Sequence, residues 1–260
     1  MKRPSLSALL TISLSSLVAL SIVGRPARAQ EQSKDLAEKL DGILMLMVVD
    51  QQGQPRSTEA VVDNKKSQVF FSTISLSGAE LLQTGKSFGL SPDVAKALRF
   101  APISLARFNM IMAPILKEYP DKIAVISPDP SQVQIAEKLL VAQKVQPAQA
   151  KSIANLQPMI FCPEPGLLVS MNEGPRKGEQ FVPCSTEFSY VDSIVKQAMQ
   201  TPRLAALKPT VVAIPLSSFI NFLDKQPSAK TEPVRVVPSG SIVSIIQELE
   251  KKRQAANPSK

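Results

Sequence analysis

The chain is 260 residues long and carries a formal charge of +8, from 30 Lys and Arg against 22 Asp and Glu. It contains no histidine and no tryptophan, which removes the usual general base of serine and cysteine triads and the commonest metal ligand. Lys2, Arg3, Arg25 and Arg28 precede Ala29, so the charge beyond them is +4 (8 − 4). That is too little to imply a basic face for nucleic acid.

Taken in order, the chain opens with Lys2-Arg3, an apolar run from Leu6 to Gly24, and Ala27-Arg28-Ala29. A positive start, an apolar stretch and small residues where a peptidase reads make a secretory signal over residues 1–29, cut after Ala29. A retained anchor is the alternative, because the run is barely long enough to span a bilayer. Residues 30–257 follow as the folded part. Leu36, Ala37 and Leu40 give a short leading helix. Ile43 to Val49 is a continuous apolar run between turn residues, read as a buried strand. Thr58 to Val62 and Gln68 to Phe71 continue it as a meander. Leu76 to Thr84 and a segment from Ser91-Pro92-Asp93 read as helices, and Phe100 to Ile103 as a strand. Ser104 caps a helix whose apolar face is Leu105, Phe108, Met112, Ile115 and Leu116, and Pro114 is expected to kink it or end it early. A strand from Ile123 to Ile126 and a helix from Pro130 to Gln143 come next. Val145 to Gln157 reads as a connector.

Beyond the connector the same order recurs. Met159 to Cys162, Leu167 to Met171 and Gln180 to Pro183 read as strands, with a Gly174 to Gly178 turn. Phe188 to Gln200 is a helix, Thr210 to Ile214 a strand, and Leu216, Phe219, Ile220 and Leu223 give a helical face. Val234 to Val237 and Ser241 to Lys252 close the chain as strand and helix. The closing strand-turn-helix repeats the earlier one at an offset of 110 (238 − 128): Pro128 matches Pro238, Ser131 matches Ser241 and Leu139 matches Leu249. Asp129 or Ser239 would cap the helix in its copy. Leu105 and Phe108 match Leu216 and Phe219, and Gly53 matches Gly166. The expected fold is therefore α/β mixed (α+β), with an internal repeat of residues 43–143 and 158–252 about a pseudo-two-fold axis. Each half is a strand meander followed by alternating helices and strands.

No catalytic residue, cofactor or metal site is expected. A serine-lysine hydrolase survives only as an alternative, because no spacing isolates one pair. Cys162 and Cys184 are the only cysteines. In an exported chain they could bridge neighbouring strands, or be two buried small apolar side chains. Methionine is plentiful where aromatics are few, and unbranched polarizable side chains suit a groove for varied partners. The candidate client-binding set is Phe108, Met110, Met112, Phe219 and Phe222.

Six stretches, VVDQQGQP (Val48 to Pro55), FAPISLARF (Phe100 to Phe108), AVISPDPSQVQIAEKLL (Ala124 to Leu140), GEQFVPCST (Gly178 to Thr186), VVAIPLSSFI (Val211 to Ile220) and RVVPSGSIVSIIQEL (Arg235 to Leu249), carry a resemblance. In order and type they resemble the twenty-two-kilodalton component of the chloroplast inner-envelope import translocon, the Tic machinery, and its cyanobacterial relatives. Cys162, Cys184 and Pro163-Glu164-Pro165 depart from the family pattern, as does the stretch Gly85 to Asp93. The resemblance implies a chaperone or escort factor between two membranes. The periplasm is the expected compartment, with the thylakoid lumen or a plastid intermembrane space as alternatives. Its implied partners are unfolded or outer-membrane precursor polypeptides and the outer-membrane barrel assembly machinery, with peripheral membrane association at most. A docking scaffold of a membrane complex is the other non-enzymatic reading.

Overall fold

A computed structural model describes residues 34–62, 65–86, 88–170, 177–225 and 234–256. The segment expected to be a signal, with the expected cleavage position at Ala29, and Met171 to Arg176 lie outside the described residues.

The apolar run of the first half becomes strand β1 (Leu44–Val49), buried along nearly its whole length. With no polar face to show to water, such a strand needs cover on both sides. Met45, Met47 and Val49 face a central core, while Leu46 and Val48 face outward into smaller clusters. After β1 the loop is closed by Asp50, whose Oδ1 accepts from the amides of Gln52 and Gln54. Gly53 supplies the positive φ (77°) that this turn requires.

Strands β2 (Ser57–Val62), β3 (Lys65–Thr73), β4 (Arg99–Ser104) and β5 (Ile123–Ser127) complete the first sheet. β1 pairs antiparallel with β4 and, through Leu46 and Met47, with Thr73 and Ser72 of β3. β2 continues that register from Ser57 opposite Phe70. β5 pairs parallel with Val69 to Thr73. A strand has two edges, and residues of β3 shared with β1, β2 and β5 put β5 opposite the other two.

The second sheet repeats this pairing scheme. Strands β6 (Met159–Glu164), β7 (Val169–Ser170), β8 (Gln180–Ser185), β9 (Thr210–Pro215) and β10 (Val234–Val237) stand where β1 to β5 stand in the first. β6 pairs antiparallel with β9 and β8, β7 pairs antiparallel with β8, and β10 runs parallel to β8.

Helix α1 (Lys34–Asp41) leads the chain, α2 (Leu76–Gln83) and α3 (Pro92–Lys96) follow β3, and α4 (Leu105–Glu118) follows β4 without a loop. Pro114 does not end α4 early. The carbonyl it leaves without an amide partner belongs to Met110, and both residues are on the exposed side, where water serves. Next come α5 (Val133–Ala142) and α6 (Pro147–Leu156). The stretch expected to be a connector is thus a helix, with its proline in the first turn, where no amide is missed. In the second half α7 (Phe188–Met199), α8 (Pro202–Ala205), α9 (Leu216–Lys225) and α10 (Gly240–Ala256) complete the set.

The two sheets share one central core. Met45, Phe70, Phe108 and Met112 from the first half meet Ile160, Cys162, Ile214 and Phe219 from the second, with Leu36 and Leu40 of α1 between. The closing helices are exchanged. α5 lies on β9, with Ala136 and Leu140 against Met159, Phe161 and Ala213 of the second sheet. α10 lies on β1 and β4, with Ile242 against Leu46 and Ala79 of the first half. Each half therefore covers part of the other's outer face.

Candidate client-binding surface and the seam between the halves

Of the five residues expected to form a client surface, three are interior. Phe108, Met112 and Phe219 retain 4%, 2% and 0% of their exposure. They lie on the inward faces of α4 and α9, where the apolar spacing that marked them also buries them. Phe222 is half-buried, its ring centroid 6.3 Å from that of Phe219. Met110, two positions from Phe108 and so about 200° around the helix, is 70% exposed. The five do not make one surface. Other large apolar side chains reach solvent where the sequence reading did not look, notably Leu156 and Val141 on the α5–α6 pair and Met199 and Leu207 around α8.

Polar order concentrates where the halves meet. After β5, Asp129 does not cap α5 as expected, because α5 starts only at Val133. Its Oδ1 accepts from the Ser131 amide and hydroxyl, and from Ser77 at the start of α2 (2.7 Å). After β10, Ser239 donates to Glu187 at the start of α7 (2.6 Å). The two bridges are equivalent, 110 residues apart at both ends (187 − 77 and 239 − 129), with acid and hydroxyl exchanged. Burial alone would raise the Asp129 pKa, but the hydrogen bonds from Ser131, Ser77 and Gln132 outweigh it and hold the pKa below its ordinary value.

The residues flanking α5 tie it to the second half. Gln132 donates to Thr186 O (2.9 Å) and accepts from the Phe188 amide (2.6 Å). Gln143 donates to Ala213 O (3.0 Å) and accepts from its amide (2.8 Å). That side-chain amide thus takes the place of a neighbouring strand at β9. Composition alone would not have singled out either glutamine. Their signal is position, one on each end of a helix that lacks its own side-chain cap.

Cys162 of β6 and Cys184 of β8 are bonded, with Cα atoms 4.4 Å apart, and both are fully buried in the central core. Phe161 pairs with Ser185, which sets the two cysteines directly across the ladder. Among the described residues no group of three or more His, Cys, Asp or Glu gathers to hold a metal, and no helix is long and apolar enough to cross a membrane.

No family model matches the sequence, and no curated protein matches it. Solved structures do. Anabaena Tic22, described as a protein of protein transport, superposes with a TM-score of 0.62 at 16% identity, over 82% of this chain and 96% of that one. The chain has the Tic22 fold. Tic22 from Plasmodium falciparum gives a TM-score of 0.58 at 15% identity, over 84% of this chain and 99% of that one.

The stretches that carried the resemblance mark the joints of this Tic22 fold. VVDQQGQP is the end of β1 and its turn, FAPISLARF is the β4–α4 junction, and VVAIPLSSFI is the equivalent β9–α9 junction. At those junctions the Leu105 amide donates to Ile43 O and the Leu216 amide to Pro158 O. Each helix start is thereby fastened to the residue leading into its half's first long strand.

Proposed function

We propose that this chain is a non-enzymatic factor of protein transport that contacts apolar segments of polypeptides outside the cytoplasm. The observation that carries the reading is the Tic22 fold over nearly the full length of the Anabaena protein described as protein transport. A disulfide in the core suits an oxidising compartment, and the N-terminal segment has the pattern of a secretory signal; together they support the periplasm. The proposed contact residue is Met110, the one of the five candidates that reaches solvent freely, with the half-buried Phe222 a separate and lesser candidate. Phe108, Met112 and Phe219 are interior and form no part of a contact surface. Outer-membrane precursors are the proposed clients, with the barrel assembly machinery as the proposed destination.

The test is suppression of aggregation by an unfolded outer-membrane barrel protein, using the wild type and Met110→Asp. Suppression by the wild type that weakens in Met110→Asp, at unchanged circular dichroism, supports the reading. A well-folded wild type that suppresses nothing removes the escort function. Crosslinking in cell envelopes then separates an escort, which yields many partners, from a docking scaffold, which yields one.

A further inference from the structure

Thr186, just past the end of β8, retains only 3% of its exposure, and its Oγ1 has no hydrogen-bond partner among the described residues. A buried hydroxyl without a partner is costly, so native proteins rarely leave one dry. Thr186 lines a small pocket at the seam between the halves, partly open to solvent, with about 10 Å³ of room for water. Asp129 and Gln132 complete the polar part of its wall, and Ala136, Met159 and Phe161 belong to the apolar part. Room of that size is at the lower limit for one water molecule.

The hydrogen bonds around the pocket show what remains to be satisfied. Asp129 Oδ1 already accepts from Ser131 N, Ser131 Oγ and Ser77 Oγ. Asp129 Oδ2 accepts from Gln132 Nε2, and a carboxylate oxygen has capacity for a second donor. Gln132 spends its amide on Asp129, Thr186 O and the Phe188 amide. The Thr186 hydroxyl and one acceptor position on Asp129 are left, one from each half, and both residues line the same small space. We infer that a single ordered water occupies this pocket, donating to Asp129 Oδ2 and hydrogen-bonding Thr186 Oγ1. It completes a polar clamp between the halves that the Gln132 side chain begins.

The test is a crystal structure of the chain at a resolution that shows ordered water, with unfolding equilibria for Thr186→Val and Thr186→Ser. The expected result is density within about 3 Å of both Thr186 Oγ1 and an Asp129 oxygen. Thr186→Val, which keeps the shape and removes the hydroxyl, should lose that density and raise the unfolded-to-folded ratio about tenfold. Thr186→Ser should keep both the density and a ratio within about threefold of wild type. No density at this place in a well-ordered wild-type map overturns the inference. So does a Thr186→Val variant at least as stable as wild type, because removing a dry hydroxyl carries no penalty. Should Thr186→Val fail to fold, the wild-type map decides alone.

Discussion

Asp129 is a half-buried carboxylate whose charge is held by hydroxyl, amide and backbone donors together. Its pKa in the folded chain lies below that in the unfolded chain. The stabilisation is therefore complete at neutral pH and is lost as the pH falls through the unfolded value and then the folded one. Asp129→Asn is expected to cost about 1 kcal/mol at pH 7, the modest figure reflecting its partial contact with water. The gap to wild type should start to narrow only below about pH 4, read as urea midpoints at pH 7 and over an acid series. The two helix-borne candidates separate as sharply. Phe219→Ala should cost about 3–5 kcal/mol by leaving a cavity in the central core. Met110→Asp should stay within about 0.5 kcal/mol of wild type, and thermal melts of the two variants distinguish them. The angular offset of Met110 from the apolar face already announced its exposure. That Phe108 and Phe219 are interior follows from the same face, since the spacing that marks a groove also marks a core.

Among the elements, β8 is secured on both edges, by the disulfide to β6 and by the parallel pairing with β10. Converting both Cys162 and Cys184 to Ala should cost about 3 kcal/mol, mainly by freeing the unfolded chain. The measurement is the denaturant midpoint of the variant against the oxidised wild type. At the free edge of β9, Gln143→Ala strands the Ala213 amide and carbonyl, for an expected loss of about 1–3 kcal/mol. Hydrogen exchange at Ala213 should quicken in that variant. Most strands and long helices could be read from periodicity, and the recurring order of elements could be read because proline punctuates both stretches at one offset. What could not be read was where a helix lands. The apolar faces of α5 and α10 say that each must be covered, but nothing in 3.6-residue spacing says by which sheet. The α6 segment was missed for a local reason: Pro147 reads as a break in sequence, whereas at a first turn it is compatible with a helix.

For the whole molecule, a shared core and exchanged helices predict that neither half is stable alone. A chain ending at Ser239 loses α10 and uncovers Leu44, Leu46 and Phe100 on the first sheet. It should bind a hydrophobic dye and aggregate where the chain through Ala256 does not. Separately expressed pieces 34–143 and 144–256 should each be poorly folded and should recover ellipticity on mixing. If either piece folds cooperatively by itself, the mutual cover is dispensable. The exchange also bears on delivery. On the proposed export route, a polypeptide threaded across a membrane from its amino end presents the first sheet early, and the helix that roofs it is among the last segments to arrive. Until then the passenger carries an open greasy flank of its own, so a protein proposed to shepherd others begins its existence in need of the same protection.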